Sequence, residues 1–163
     1  MTKILAKEKG ENFKDIDALS LNTYRLGHTG SGTSSKYYHI ATFTLNGRYR
    51  NITEKWDCIG RNQRPFQVYF RFESFGAGGY DGIYKTFEVS STSGNKHVFV
   101  ITMDYSLRQV KIYYKRPYTD WNQSVLKITS AYNNGSIDIE RHNTDVGAIQ
   151  PDGADETIVI TTG

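Results

Sequence analysis

Along FQVYFRFE, residues 66–73, Phe66, Val68, Phe70 and Phe72 alternate with Gln67, Tyr69, Arg71 and Glu73. That is the two-residue period of a strand with one dry face and one wet face. Burying a side chain of this size contributes roughly 1.5–3 kcal/mol. A lone sheet cannot bury a whole face, so the pattern predicts a second sheet packed against this one.

The same period recurs on both sides of this stretch. Tyr37 to Leu45 places Ala41, Phe43 and Leu45 on one face, with Ile40 pointing to partial cover of the other, and ends at the turn dipeptide Asn46-Gly47. Ile52 to Gly60 turns Ile52, Trp56 and Cys58 one way and Thr53, Lys55 and Asp57 the other. Phe75 to Gly82, with four glycines, reads as a flexible loop before a strand over Ile83 to Val89 with Ile83, Phe87 and Val89 inward. His97 to Met103 carries VFVITM, apolar on both faces like a central strand covered on both sides. Leu107 to Lys115 groups Val110, Ile112 and Tyr114, and Val125 to Tyr132 groups Leu126 and Ile128. Asn134-Gly135 predicts a type I′ hairpin into Ser136 to His142, because both central residues of that turn need positive φ. Thr157 to Thr161 closes the chain. Eight or nine short strands with turn residues between them predict an all-β, antiparallel β-sandwich of the jelly-roll kind. Outside the strands, Asn12 to Leu21 carries a weak helical pattern.

Residues 1–35 differ from the rest. Their apolar residues (Phe13, Ile16, Leu19, Leu21, Leu26) are sparse and irregular, and HTGSGTSS at 28–35 is a linker by composition. The segment reads either as a frayed tail or as a stem ordered by packing against copies of itself; residues 36–163 read as one head domain. A length of 163 residues suits a single core. Aromatic content of 13% fits pleated, half-buried surfaces. A net charge of +3 is too near balance to predict a nucleic-acid footprint. The single cysteine, Cys58, reads as a small buried hydrophobe. No secretory leader and no apolar run approaching the roughly 20 residues of a membrane span is visible, so synthesis in a cytoplasm is expected.

Residues 20–60 resemble the distal parts of bacteriophage tail fibres and tail appendages. The likeness is carried by Leu21-Asn22 with Leu26-Gly27, the Gly/Ser link, the aromatic strand Tyr37 to Leu45, and Trp56 to Gly60. It implies a virion tail protein, a homotrimer with three heads on a shared stem, that contacts other tail proteins and binds saccharide on the host cell surface. It brings no catalytic motif with it.

Read for chemistry, the residues favour binding over catalysis. Asp104, Asp120, Asp138 and Glu140 are the available carboxylates, but Asp138 and Glu140 share the polar side of one strand instead of facing each other across a cleft. His28, His39, His97 and His142 show no metal-ligand spacing, and Asp152 and Asp155 in PDGAD fit turn chemistry better than a calcium shell. No metal and no cofactor is expected. RPYTDWNQS at 116–124 mixes Tyr118 and Trp121 with Asp120, Asn122 and Gln123. Aromatic faces suit the C–H side of a sugar ring, while amides and a carboxylate suit its hydroxyls. This predicts a saccharide site at Tyr118, Asp120, Trp121 and Asn122, or alternatively a plug in which Trp121 folds over the sandwich edge. Tyr80 and Asp81 repeat the pattern more weakly, and Arg61, Asn62 and Arg64 would suit an anionic glycan or a polymer phosphate; each also reads as an ordinary solvated loop. The expected function is non-covalent attachment of a phage tail to host saccharide. The alternatives are a virion adaptor that binds another protein, and a sandwich glycan hydrolase.

Overall fold

The computed structural model describes residues 23–26, 36–59, 66–77, 80–91, 98–115, 124–132 and 137–161. They form ten strands: β1 (Thr23–Leu26), β2 (Tyr37–Leu45), β3 (Asn51–Ile59), β4 (Phe66–Ala77), β5 (Tyr80–Ser91), β6 (Val98–Asp104), β7 (Gln109–Lys115), β8 (Ser124–Tyr132), β9 (Ile137–Gly147) and β10 (Glu156–Thr161). No helix occurs among the described residues, and Asn12 to Leu21 lies outside them. A first sheet has the order β1-β8-β3-β4-β5 and a second the order β10-β6-β7-β2-β9, each antiparallel throughout. The predicted antiparallel sandwich is the observed fold. Its outer pairings are nested as in a jelly roll, β2 with β9 and β3 with β8. The inner strands instead run as meanders.

The core lies where the alternation places it. Phe66, Val68, Phe70 and Phe72 are buried on the inner face of β4. Phe70 meets Trp56 of β3 edge-on at 5.0 Å and Phe99 of the opposite sheet at 6.0 Å. Such edge-to-face pairs add about 0.5–1.5 kcal/mol beyond burial. From the second sheet Ala41, Phe43, Leu45, Ile101, Met103, Val110, Ile112 and Tyr114 complete the layer. β6 is buried from Phe99 to Met103, as its two-sided apolar run predicts, although it lies one place in from the edge. Ile40 and Ala41 are both buried because the register slips between His39 and Ala41: β2 takes two steps there where β7 takes one. That bulge resets the alternation.

Three expectations are corrected. Val125–Tyr132 and Ser136–His142 do not form a hairpin: β8 and β9 lie in opposite sheets, and β9 runs on to Gly147. Residues 133–136, with Asn134-Gly135, lie outside the described residues. Asn46-Gly47 does mark a turn, with Gly47 at φ 120°, but it also joins opposite sheets. That corner is pinned by buried Ser74, whose Oγ donates to Gly47 O at 2.6 Å and accepts from Arg50 N at 3.1 Å. Turn chemistry specifies a reversal; whether the next strand pairs or crosses depends on which neighbour buries more surface.

Second, Phe75 to Gly82 is mostly strand, not loop. β4 and β5 stay paired out to Ala77 opposite Tyr80. A Cβ on Gly82 would sit 2.4 Å from the Phe75 ring, so this glycine makes room for an aromatic lying across the strand. Third, Val89 is at an inward position yet 38% exposed, because β5 is an edge strand.

Four residues of the 1–35 segment, Thr23–Leu26, pair with β8. The rest of it lies outside the described residues, as do residues 60–65 and 116–123 and the side chain of Cys58.

One charged group is buried among these apolar side chains. Glu54 occupies the inward position between Ile52 and Trp56. Its carboxylate accepts from Trp56 Nε1 at 2.7 Å, Ser130 Oγ at 2.6 Å and Arg141 Nη1 at 3.0 Å, and Arg141 Nη2 completes a forked pair. Arg141 comes from β9, so the fork ties the two sheets together. Removing one member would strand the other charge.

Candidate functional site

The outer face of the second sheet is where polar chemistry collects. β7 sends Gln109, Lys111 and Tyr113 outward, the complement of its buried Val110, Ile112 and Tyr114. Register places Lys111 between Thr102 and Thr42, and Tyr113 between Val100 and His39. Val100 and Thr102 are buried although they face away from the core.

A cleft of about 220 Å3 opens at one end of this face, between the β6–β7 turn and the segment at 152–154. Thr102, Asp104, Gln109, Lys111, Tyr113 and Asp152 give it its polar lining. Both walls are fixed by hydrogen bonds. Asp104 Oδ1 accepts from Ser106 Oγ at 2.7 Å and Leu107 N at 3.0 Å, holding the turn. Asp155 ties the opposite wall down: its N–H donates to Met103 O at 3.1 Å, and its Oδ2 accepts from Tyr105 N at 2.7 Å. Gly153 is tightly enclosed, since a Cβ there would lie 2.3 Å from Glu156 O. Its N–H donates to Thr157 Oγ1 at 2.8 Å, and that hydroxyl donates to Asp152. PDGAD is thus turn chemistry, as its composition predicts, and it also walls the cleft.

Beside the cleft three rings stack. His39 lies against His142 at 4.1 Å between centroids and against Tyr113 at 4.9 Å. The β2–β9 register slips here too, β9 taking three steps from Arg141 to Thr144 while β2 takes two. Thr42 Oγ1 lies 2.9 Å from His39 Nε2 and 3.5 Å from His142 Nε2. Burial, then the nearby His142 and Lys111, push the His39 pKa down to about 4, so the ring is neutral near pH 7. Burial raises the Tyr113 pKa, opposed by a hydrogen bond with Thr102, and the phenol stays protonated.

Asp104 is held below the usual carboxylate range by the Ser106 hydroxyl and then the Leu107 N–H, the opposite of what a general acid needs. Asp138 and Glu140 are exposed on β9, with Asp138 accepting from Asn46 Nδ2 at 2.7 Å. Among the described residues no group of three or more His, Cys, Asp or Glu could hold a metal ion.

Tyr118, Asp120, Trp121 and Asn122 lie outside the described residues, as do Arg61, Asn62, Arg64, His28 and His97. Tyr80 and Asp81 begin β5, the edge strand of the first sheet, with Cα partners Ala77 and Gly76. The cleft residues on β7 were within reach of sequence reasoning, since outward positions follow from inward ones. The pairing of His39 with His142 had no local signal. Comparisons with family models, with curated proteins and with solved structures return no match for this chain.

Proposed function

We propose that this chain is the head of a bacteriophage tail appendage that holds host-surface saccharide non-covalently. The observation that carries the binding chemistry is the cleft, in which the Tyr113 ring stands beside the Gln109 amide, the Lys111 ammonium and the Asp104 and Asp152 carboxylates. An aromatic face beside fixed donors and acceptors is a complement to a pyranose ring. At about 220 Å3 the cleft is smaller than the roughly 300–1,000 Å3 that engulfs a drug-sized ligand, which suits one end of a glycan chain. The phage attribution rests on the resemblance of residues 20–60, and the trimer it implies would turn weak single sites into firm attachment, since linked sites raise avidity by about 10²–10⁴. The lowered pKa of Asp104, which keeps it a carboxylate, favours binding over hydrolysis.

The test is an array of neutral and acidic glycans probed with the full chain and with Tyr113→Ala. Expected are discrete reversible hits, no release of reducing ends, and about tenfold weaker binding by the variant. No hits, with capture of another virion protein instead, would replace this reading with the adaptor.

A further inference from the structure

The outward face of the first sheet carries a second polar and aromatic surface, remote in topology from the cleft. Two shallow grooves lie in line along β4 and β5. One, of about 250 Å3, is formed by Arg71, Glu73, Tyr84, Lys85 and Thr86. The other, of about 230 Å3, contains Lys55, Gln67, Tyr69, Glu88 and Ser90. Each thus has one tyrosine among planar or hydroxyl-bearing polar groups.

The Tyr84 platform is built with some care. Its ring stacks on Phe75 at 4.1 Å between centroids with 26° between planes, and Phe75 in turn lies across Gly82. Tyr84 is nonetheless 62% exposed, which leaves a supported aromatic surface open to solvent. Tyr69 and Glu88 are register partners, as are Glu73 and Tyr84. The two tyrosines therefore stand four residues apart along the sheet, ~13 Å at about 3.3 Å per residue.

Charge decides the class of ligand. Lys55 pairs with Asp57 at 3.7 Å, Arg71 with Glu73 at 2.8 Å, and Lys85 with Glu156. Each cation of the two grooves is already balanced by an acid, so the face offers no positive field to a polyanion. What it offers is an array of donors and acceptors suited to hydroxyls.

We infer that this face is a second saccharide site, distinct from the cleft, which takes an extended neutral oligosaccharide along β4 and β5 with rings resting on Tyr69 and Tyr84. The inference rests on the reading of the head as a saccharide binder, but not on the cleft being occupied. A ligand that spans both tyrosines gains from the second contact without a second loss of free motion, so affinity must depend on chain length.

The full chain is titrated, with amide shifts followed by NMR, against neutral gluco-, galacto- and N-acetylglucosamine-based oligosaccharides from single rings to pentamers. Expected are shifts on β4 and β5, and about tenfold tighter binding once the chain is long enough to bridge the tyrosines. Tyr69→Ala and Tyr84→Ala should each remove that gain, while Tyr113→Ala leaves it. Retained far-ultraviolet circular dichroism and melting temperature confirm that the variants fold. Shifts confined to the cleft, or affinity independent of length, overturn the second site and leave the first intact. Absence of any shift on β4 and β5 overturns the second site, and an equally blank array of neutral and acidic glycans overturns the first as well.

Discussion

The two sheets treat their outer faces differently. On the first, β4 presents Gln67, Tyr69, Arg71 and Glu73 to water over a fully dry inner row, and its charges pair laterally at the surface. On the second, Val100 and Thr102 are buried on the outward side, and the His39 ring on the same face is dry enough to stay neutral well below its ordinary pKa. The lesson is that sheet polarity is set by neighbours across the ladder. A residue such as Val100 lies between Tyr113 and Val159 in the ladder and is fully buried there, although it faces away from the core.

The largest effect expected is on the inner row. Phe70→Ala should lower stability by about 3–5 kcal/mol in urea unfolding, against well under that for Tyr69→Ala. Equal losses would mean that the outer face of the first sheet is as dry as its inner face. Next comes a contrast between ion pairs. Arg141→Met leaves Glu54 buried without its partner and should cost about 3–5 kcal/mol, whereas Arg71→Ala, at an exposed pair, should stay within about 1 kcal/mol. Pairing Arg141→Met with Glu54→Leu should recover most of the loss, and failure to recover would show that the fork is required for the sheets to align.

A smaller effect is expected from pH. The His39 ring titrates at about 4 in the folded chain and near 6.5 when unfolded, so between these values the unfolded chain binds the extra proton. Stability contributed by the neutral ring is complete above pH 6.5 and declines as pH falls towards 4. Melting curves of His39→Gln should show a flatter dependence over that window, and an unchanged slope would assign the acid sensitivity elsewhere. The smallest change in stability belongs to Trp121→Ala. If the 116–124 segment is a glycan site, the melting midpoint moves by only a few degrees while attachment to host cells weakens. A plug gives the reverse, with melting lowered strongly.

Much of this site was readable in part. Once Val110, Ile112 and Tyr114 are taken as inward, Gln109, Lys111 and Tyr113 must face out, and the period of two needs no partner strand to say so. The stacked histidines were not readable, because His39 and His142 come from strands far apart in sequence and meet only through the β2–β9 ladder. Asp152 looked like a turn residue and is one; its place at the cleft depends on Asp155 docking onto β6.

Local pattern by itself determined that the chain is a two-layer β-sandwich and which faces of β4, β6 and β7 are dry, since alternation is a property of one strand and burial follows from side-chain chemistry. Only the tertiary structure decided the strand order, the crossing at Asn46-Gly47 and between β8 and β9, and the burial of Glu54. Those depend on competition among strands for the same edges and on an arginine arriving from the opposite sheet, and neither leaves a trace within a few residues of the positions it governs.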